Sequence, residues 1–550
     1  MNLNGFFNSS KENFDKTFII VSALIVFVRL VMSFVLLSNN LIFSDEGWYL
    51  CLMKDLPHYG STRFHLLFNN VFNNNIYAIR VSCWLSQIVG GLVFSIGFCS
   101  YFGNNITKHG KWAVILVFCA LFWNWGLRDI GCFYYNNLKV VFTEFGVGLM
   151  LIGLSKEKTV YLVLSGFFIA FLFPVMITNV VFIPLMFMAL MMLSRKMLKN
   201  GLSFVAGICL FAIYYFVFVE SPKEVFESLL DETQKVVNNG GNEYGLSFLV
   251  AWIEDAIMYL CKCAFVAIAL YGVSYVAKKR IDNNLARWGL LFGTSFLILW
   301  YSWRYVAPVT NIIRGQWLYD IRWILLFLLS VFGVMERTPY ERKEIVVMTL
   351  LVLSTVCLSF GSNIDFNKHT EVIPFLDLAL MYFIIKRSYK WKIVLFGVVF
   401  AAFILFLSSI SGYNWYWQKW IGKHESVETI GISQNVKLER KYIDMLVYCR
   451  DKVPQGRVLN SPENWGQVVL LGYIPISYEY DISRNGMKYL QNIVDKEVEE
   501  EGHLWILSHV WKKKFNENIQ MLNGYEITID TAFDNIYYYV TPNENLKELH

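Results

Sequence analysis

The sequence predicts an α-helical polytopic membrane protein of about thirteen transmembrane helices, followed by a small C-terminal α/β domain outside the bilayer. Three observations predict it. Of 550 residues, 56% are hydrophobic and only 17% charged, where a soluble chain carries about 25% charged residues. The apolar residues gather in runs close to the roughly 20 residues a helix needs to cross a hydrocarbon core. From about Ser411 onward the pattern changes to interspersed charge and mixed periodicity, so the chain divides into a membrane part, 1–411, and a soluble part, 412–550.

Taken in order, the apolar runs fall near residues 17–38, 79–102, 112–130, 135–154, 159–176, 179–194, 202–219, 248–276, 286–306, 319–335, 345–360, 373–387 and 391–411. The first is too long for the core of a cleaved signal peptide, and no small-residue cleavage site follows it. The pair flanking "FPVMITN" is short and reads as a broken hairpin. Lys and Arg concentrate in "ITKHGK", "SKEK", "SRKMLK", "AKKR", "ERTPYERK" and "KRSYKWK", which places those loops, and the N-terminus, in the cytoplasm. An odd number of spans then puts the C-terminal domain on the far side, with loops near 39–78, 220–247, 307–318 and 361–372. In a bacterium this is an integral protein of the inner, plasma membrane with a periplasmic domain.

In the soluble part, "KLERKYIDMLVYCRDKV" has the period of an amphipathic helix, "GRVLNS" and "HLWILSHV" read as buried strands, "GMKYLQNIVDKEVEEE" as a solvated helix and "YEITIDTAFDNIYYYVT" as a hairpin. Strands alternating with helices imply an α/β layer structure.

The formal charge of +5 is small for this length, and the basic residues follow the loops; the pattern is one of membrane topology and not of nucleic-acid binding. Eight of the ten cysteines lie in apolar runs and read as small hydrophobes. Cys51 and Cys449 fall outside clear spans. His503 and His509 flank a strand six residues apart, a poor spacing for a metal.

The stretch "LIFSDEGWYL" places Asp45 and Glu46 at the edge of the first span. One reading is structural: Ser44, Asp45 and Glu46 cap and charge an interfacial helix "EGWYLCLMKDL", with Trp48 and Tyr49 at the head-group level. The other is chemical: one carboxylate takes a proton from a hydroxyl while the other positions an acceptor or a cation. At a bilayer surface the fitting electrophile is lipid-borne, and a sugar on a polyprenyl phosphate has both a leaving phosphate and a tail for the bilayer.

The order "SDEGWYL", "HYGSTRFHLLFN", "NNNIYAIRVSCWL", then "DIGCFYYNNLKVVFTEFGVGLMLIGL" and "LSFGSNIDFNKHTEVIPFL" resembles the GT-C superfamily of membrane glycosyltransferases, in the branch of the protein O-mannosyltransferases and lipid A aminoarabinose transferases. The likeness runs loosely over about the first 390 residues. It departs in "TRFHLL", where the lipid A branch has a Glu-Lys-Pro-Pro-like patch, and in "FLFPVMITN", which lacks a basic residue usual near the fifth span. The resemblance implies transfer of a sugar from a polyprenyl-phosphate donor to a hydroxyl of a glycolipid, polysaccharide or protein, with inversion in a single displacement. It implies Asp45 as the base and Glu46 as its partner; a divalent cation, Mg or Mn, on Asp45 and Glu46 is compatible with it but not required. Asp129, in "LRDIG", is then the candidate third carboxylate, or it simply pairs with Arg128 at the interface.

A leaving phosphate calls for a cation near the outer face; Arg80, Arg128, Arg304 and Arg314 are the candidates, each of which also has a plain reading as a snorkelling or paired arginine. His65, Asp129, Tyr134 and His369 are candidate contacts to acceptor or donor. The competing class is a membrane transporter using the acidic pair for ion coupling. That class keeps ionisable groups near mid-span, where this sequence has few: Arg29, Glu144, Glu254 and Lys262.

Overall fold

The computed structural model describes residues 41–58, 62–68, 71–102, 133–238, 341–359, 423–479 and 487–543, with scattered positions in 20–39, 250–293 and 375–382, and Ile482. Most of the described chain is helical. Helix α1, Asp45–Asp55, precedes a 3-10 turn at Phe64–Phe68 and α2, Ile76–Tyr101. Next come α3 (Tyr135–Lys156), α4 (Thr159–Ala170), α5 (Leu172–Val175), α6 (Phe182–Leu193), α7 (Met197–Phe218), α8 (Pro222–Asn238) and α9 (Arg342–Ser359). By length and composition α2, α3 and α7 are long and apolar enough to cross a membrane, and Thr159–Val175 and Ile177–Leu193 are shorter apolar stretches. The outward face of α7 leaves Leu198, Leu202, Ile213, Val217 and Phe218 exposed, a band whose natural solvent is hydrocarbon. Expected spans at 112–130, 319–335 and 391–411 lie outside the described residues, as does the 411/412 boundary.

Between apolar helices there is no hydrophobic gain from leaving lipid, so close packing of small residues does the joining. Helices α2 and α3 run parallel and meet at Gly97 and Gly148, where a Cβ on Gly148 would stand 2.7 Å from Phe94 Cα. Helices α4 and α7 meet in the same manner through Gly166 and Gly207. Ser165 Oγ, buried, donates to Gly146 O at 2.7 Å and joins α4 to α3. The expected break in the "FPVMITN" hairpin falls at Met176, an extended residue (φ −161°, ψ 122°) between α5 and a 3-10 turn.

The C-terminal α/β region adds strands β1 (Glu425–Ser426), β2 (Lys437–Leu438), β3 (Arg457–Asn460), β4 (Ile474–Pro475), β5 (Leu504–His509), β6 (Tyr525–Ala532) and β7 (Asn535–Pro542). Its helices are α10 (Arg440–Lys452), α11 (Trp465–Leu471), α12 (Met487–Glu501) and α13 (Lys513–Gln520). The main sheet has the order β4-β3-β5-β7-β6, with β3 parallel to β4 and β5 and β7 antiparallel to β5 and β6. Alternation along the strands sorts side chains to two faces. Val458, Leu507 and Tyr537 pack with α10 and α11; Leu459, Ile506 and Tyr538 pack with α12 and α13. The expected helices and hairpin form within a few residues of the positions their periodicity indicates. Helices α11 and α13 were not foreseen: "WGQVVLL" is apolar nearly all round, so it carries no amphipathic period.

The first of those two cores does not stop at the α/β region. It continues through Leu41 and through Trp48, Tyr49, Leu50, Cys51 and Leu52 of α1 to Ile76, Ile79 and Cys83 of α2 and Leu138 of α3. Gly466 N donates to Phe43 O at 2.7 Å, Trp48 Nε1 donates to Tyr478 O at 2.8 Å, and Ile76 N donates to Gln434 Oε1 at 3.1 Å. Along this contact a Cβ on Gly47 would stand 2.6 Å from the Trp465 carbonyl carbon and nearer still to Gly466 N, so only glycine permits this approach.

Gly47→Ala is therefore expected to destabilise by about 1–3 kcal/mol, the usual cost of overpacking. The measurements are the thermal midpoint in detergent and protease cleavage within 423–543; an unchanged midpoint and cleavage pattern would show that α1 and the α/β region do not depend on this contact.

Candidate active site

The acidic pair opens α1, with both carboxylates in its first turn and Ser44 at the N-cap position without a side-chain capping bond. Successive helical residues point about 100° apart, and the two acids meet different surroundings. Asp45 is exposed. Glu46 is 3% exposed and pairs with Arg80, in the second turn of α2: Nε to Oε1 at 2.7 Å and Nη2 to Oε2 at 2.8 Å. Glu46 Oε2 also accepts from Ile42 N at 3.1 Å, while Arg80 Nη1 donates to Leu37 O at 2.8 Å. Arg80 is 1% exposed. Here it serves to hold Glu46 and does not present a fork to phosphate at the surface. Since both Glu46 oxygens face a guanidinium, the pair does not offer two carboxylates to a cation, and the described residues contain no group of three or more His, Cys, Asp or Glu suited to a metal.

Tyr49 lies one turn beyond Asp45 on the same face of α1. Its ring is 5.7 Å from that of Phe64, 5.8 Å from Tyr134 and 6.3 Å from Tyr135. Tyr134, at the N-cap position of α3, thus packs against Tyr49 of α1. Trp48 and Tyr49 are buried in this core and not spread along a lipid interface as the capping reading expects. On the α3 side, Lys139 is fully buried, with its Nζ 5.5 Å from the Tyr135 ring centroid. The sequence reading did not nominate it; the available signal was a lysine inside an apolar helix, an expensive position that marks function by default.

His65 sits in the 3-10 turn, fully buried. Its Nε2 donates to Pro57 O at 2.6 Å, and Nδ1 has no hydrogen-bond partner among the described residues. Burial depresses its pKa to about 4, outweighing the Pro57 bond and the charge of Glu220, so near neutral pH the ring is uncharged. A second missed group lies beside it. Glu220, just beyond α7, accepts from Arg63 Nε at 3.0 Å, from Tyr215 OH at 2.7 Å and from His58 Nδ1 at 3.2 Å. Arg63 and Glu220 are buried, while the His58 side chain is 49% exposed, so its ring is oriented by a buried carboxylate with the Nε2 edge available.

Arg128, Asp129, Arg304, Arg314 and His369 lie outside the described residues. Cys51 and Cys449 are unbridged and buried; burial raises both thiols, that of Cys449 to about 12, which removes them as nucleophiles. No family model matches the chain, and no curated protein matches it.

Two outcomes follow from this geometry. Glu46→Gln or Arg80→Met, each leaving one buried charge unpaired, should cost about 3–5 kcal/mol, and the double variant Glu46→Leu with Arg80→Met distinctly less than their sum; additive losses in detergent unfolding would refute the pairing. For His65, the unfolded chain takes up a proton as pH falls below about 6.5 while the folded side chain stays neutral to about 4. Stability is therefore complete above pH 6.5 and declines between 6.5 and 4, by about 3 kcal/mol from this group. His65→Gln should flatten that part of the profile, and an identical profile would contradict the buried neutral form.

Proposed function

We propose that the chain transfers a sugar from a polyprenyl-phosphate donor to an acceptor hydroxyl at the outer membrane face, with Asp45 as general base. The reading includes about thirteen spans, a cytoplasmic N-terminus and an extracytoplasmic α/β region, as the loop charges imply. One observation carries it. Asp45 is an exposed carboxylate on a helix held by a buried ion pair, at the junction of apolar helices and the α/β region, one turn from Tyr49, whose ring neighbours Tyr134 and Tyr135. A base must be held still relative to the oxygen it deprotonates.

In the proposed displacement the acceptor hydroxyl gives its proton to Asp45 as its oxygen bonds to the anomeric carbon. The bond from that carbon to the phosphate oxygen breaks, and the phosphate leaves with the electron pair. The departing charge needs a cation. Lys139, buried with its Nζ 5.5 Å from the Tyr135 ring centroid, is a described candidate; Arg128, Arg304 and Arg314 remain candidates from the sequence. Glu46 acts through Arg80 as a positioning residue.

A specific observation also favours ion-coupled transport. Glu144, within α3, is 1% exposed, lies against Gly90 of α2, and its Oε1 has no hydrogen-bond partner among the described residues. Buried mid-span carboxylates of this kind are typical of coupling sites.

The discriminating experiment is transfer of radiolabelled sugar from a panel of polyprenyl-phosphate donors in membranes carrying wild type, Asp45→Asn, Lys139→Met or Glu144→Gln at matched expression. Transfer by wild type that falls at least about a hundredfold in Asp45→Asn, with Lys139→Met weakened and Glu144→Gln active, supports the enzyme. Transfer undiminished in Asp45→Asn refutes it. Ion flux in proteoliposomes abolished by Glu144→Gln alone would move the function to transport.

A further inference from the structure

The C-terminal ends of β3 and β5 point the same way, because the two strands are parallel. After β3 the chain enters Ser461, the 3-10 turn Pro462–Asn464 and α11, the elements that touch α1. The same edge of the sheet therefore faces the apolar helices. Beyond β5 at that edge come Val510, Trp511, Lys512, Lys513 and Lys514. Trp511 is 74% exposed, an extreme value for so large an apolar side chain, and Val510 and Phe533 are exposed beside it. Phe533 belongs to the tight β6–β7 turn, which is tied to this loop by Val510 N donating to Asp534 O at 3.0 Å. Lys512 Nζ is 3.1 Å from Glu463 Oε1 in the 3-10 turn, which fixes the tip relative to α1.

Lys513 and Lys514 are exposed in the first turn of α13 and have no ion-pair partner among the described residues. Cations in a first turn oppose the helix dipole, so local stability does not explain them. At the same end of the helical bundle, α8 exposes Phe226 and Leu230, one turn apart, while Val225 is buried against Arg63, whose Nη2 donates to its carbonyl. Two separate elements thus leave apolar side chains uncovered at one end of the molecule.

We propose that Val510–Lys514 together with Phe533 forms a bilayer-contacting tip. Trp511 enters the head-group region of the leaflet, where an aromatic ring with a polar edge is most favourable, Phe533 adds apolar surface beside it, and Lys513 and Lys514 pair with anionic lipid phosphates. The α/β region is then held at two points, by α1 on one side and by lipid on the other, which fixes its tilt over the membrane surface. The inference rests on the apolar helices lying in a bilayer and not on sugar transfer.

The test is photo-crosslinking of the full chain reconstituted in vesicles of phosphatidylcholine alone or mixed with phosphatidylglycerol, with Trp511→p-benzoylphenylalanine, and Phe218→p-benzoylphenylalanine on α7 as the reference. Lipid adducts at position 511, roughly fivefold or more enriched when phosphatidylglycerol is present and losing that enrichment in Lys513→Glu with Lys514→Glu, are the expected result. Adducts at 511 only to a second copy of the chain, or none while position 218 still captures lipid, overturn the tip. Absence of lipid adducts at both positions overturns the bilayer placement itself, and the tip with it.

Discussion

The ion pair between Glu46 and Arg80 places two full charges where water does not reach, a step that costs several kcal/mol per ion before any attraction is counted. The bidentate geometry, with Ile42 N and Leu37 O occupying the remaining directions, offsets that cost. Its effect is positional. Glu46 belongs to α1, Arg80 to α2, and Leu37 and Ile42 to the segment that leads into α1, so one polar cluster fixes three pieces of chain. The contact of Gly47 with Trp465 and Gly466 tolerates no side chain; rotating α1 by one residue would drive Glu46 or Trp48 into the α11 backbone. The seating of the α/β region on the helices therefore depends on the rotational setting that the ion pair imposes.

A related device closes the other end of α1. The chain leaving this helix is anchored where Arg63 meets Glu220 and where Arg63 N donates to Pro174 O at 2.6 Å. Tyr215 and His58 complete the shell around Glu220. Both clamps use arginine, whose planar fork satisfies a carboxylate and a carbonyl together. Between them α1 is a short helix with unusual constraint for an element outside the apolar bundle, and residues projecting from it inherit that rigidity.

Periodicity and composition made much of this fold legible. The apolar runs at α2, α3 and α7 and the alternating elements of the α/β region follow from local patterns that survive folding. What stayed hidden was long-range pairing. Nothing in "SDEGWYL" says that Glu46 meets an arginine 34 residues away, and Arg80 read alone is as good a phosphate ligand as a structural one. Gly47, inside the expected interfacial helix, carried no sequence sign of the close approach it makes to Trp465 and Gly466. Lys139 is legible only as a charge inside an apolar helix, a different signal from that of arginines at the membrane face.

The different fates of Asp45 and Glu46 also narrow the chemistry open to the site. A pair of adjacent acids invites a two-carboxylate mechanism or a shared metal ion, but a helix sends neighbouring residues to different faces, and here one of them is neutralised by Arg80. What remains is one exposed carboxylate, Asp45, one turn from Tyr49 on α1, and a buried lysine, Lys139, beside the Tyr135 ring. Under the proposed reaction this polarity is the required one: a proton is removed at the nucleophile while negative charge collects on the leaving phosphate. An ion-coupling site needs instead a carboxylate whose protonation the surrounding helices can sense. Glu144 meets that description better than Asp45, being on the face of α3 that packs against Gly90 of α2. The two functional readings therefore invoke different residues on different helices, Asp45 on α1 and Glu144 on α3, which is why separate substitutions can decide between them.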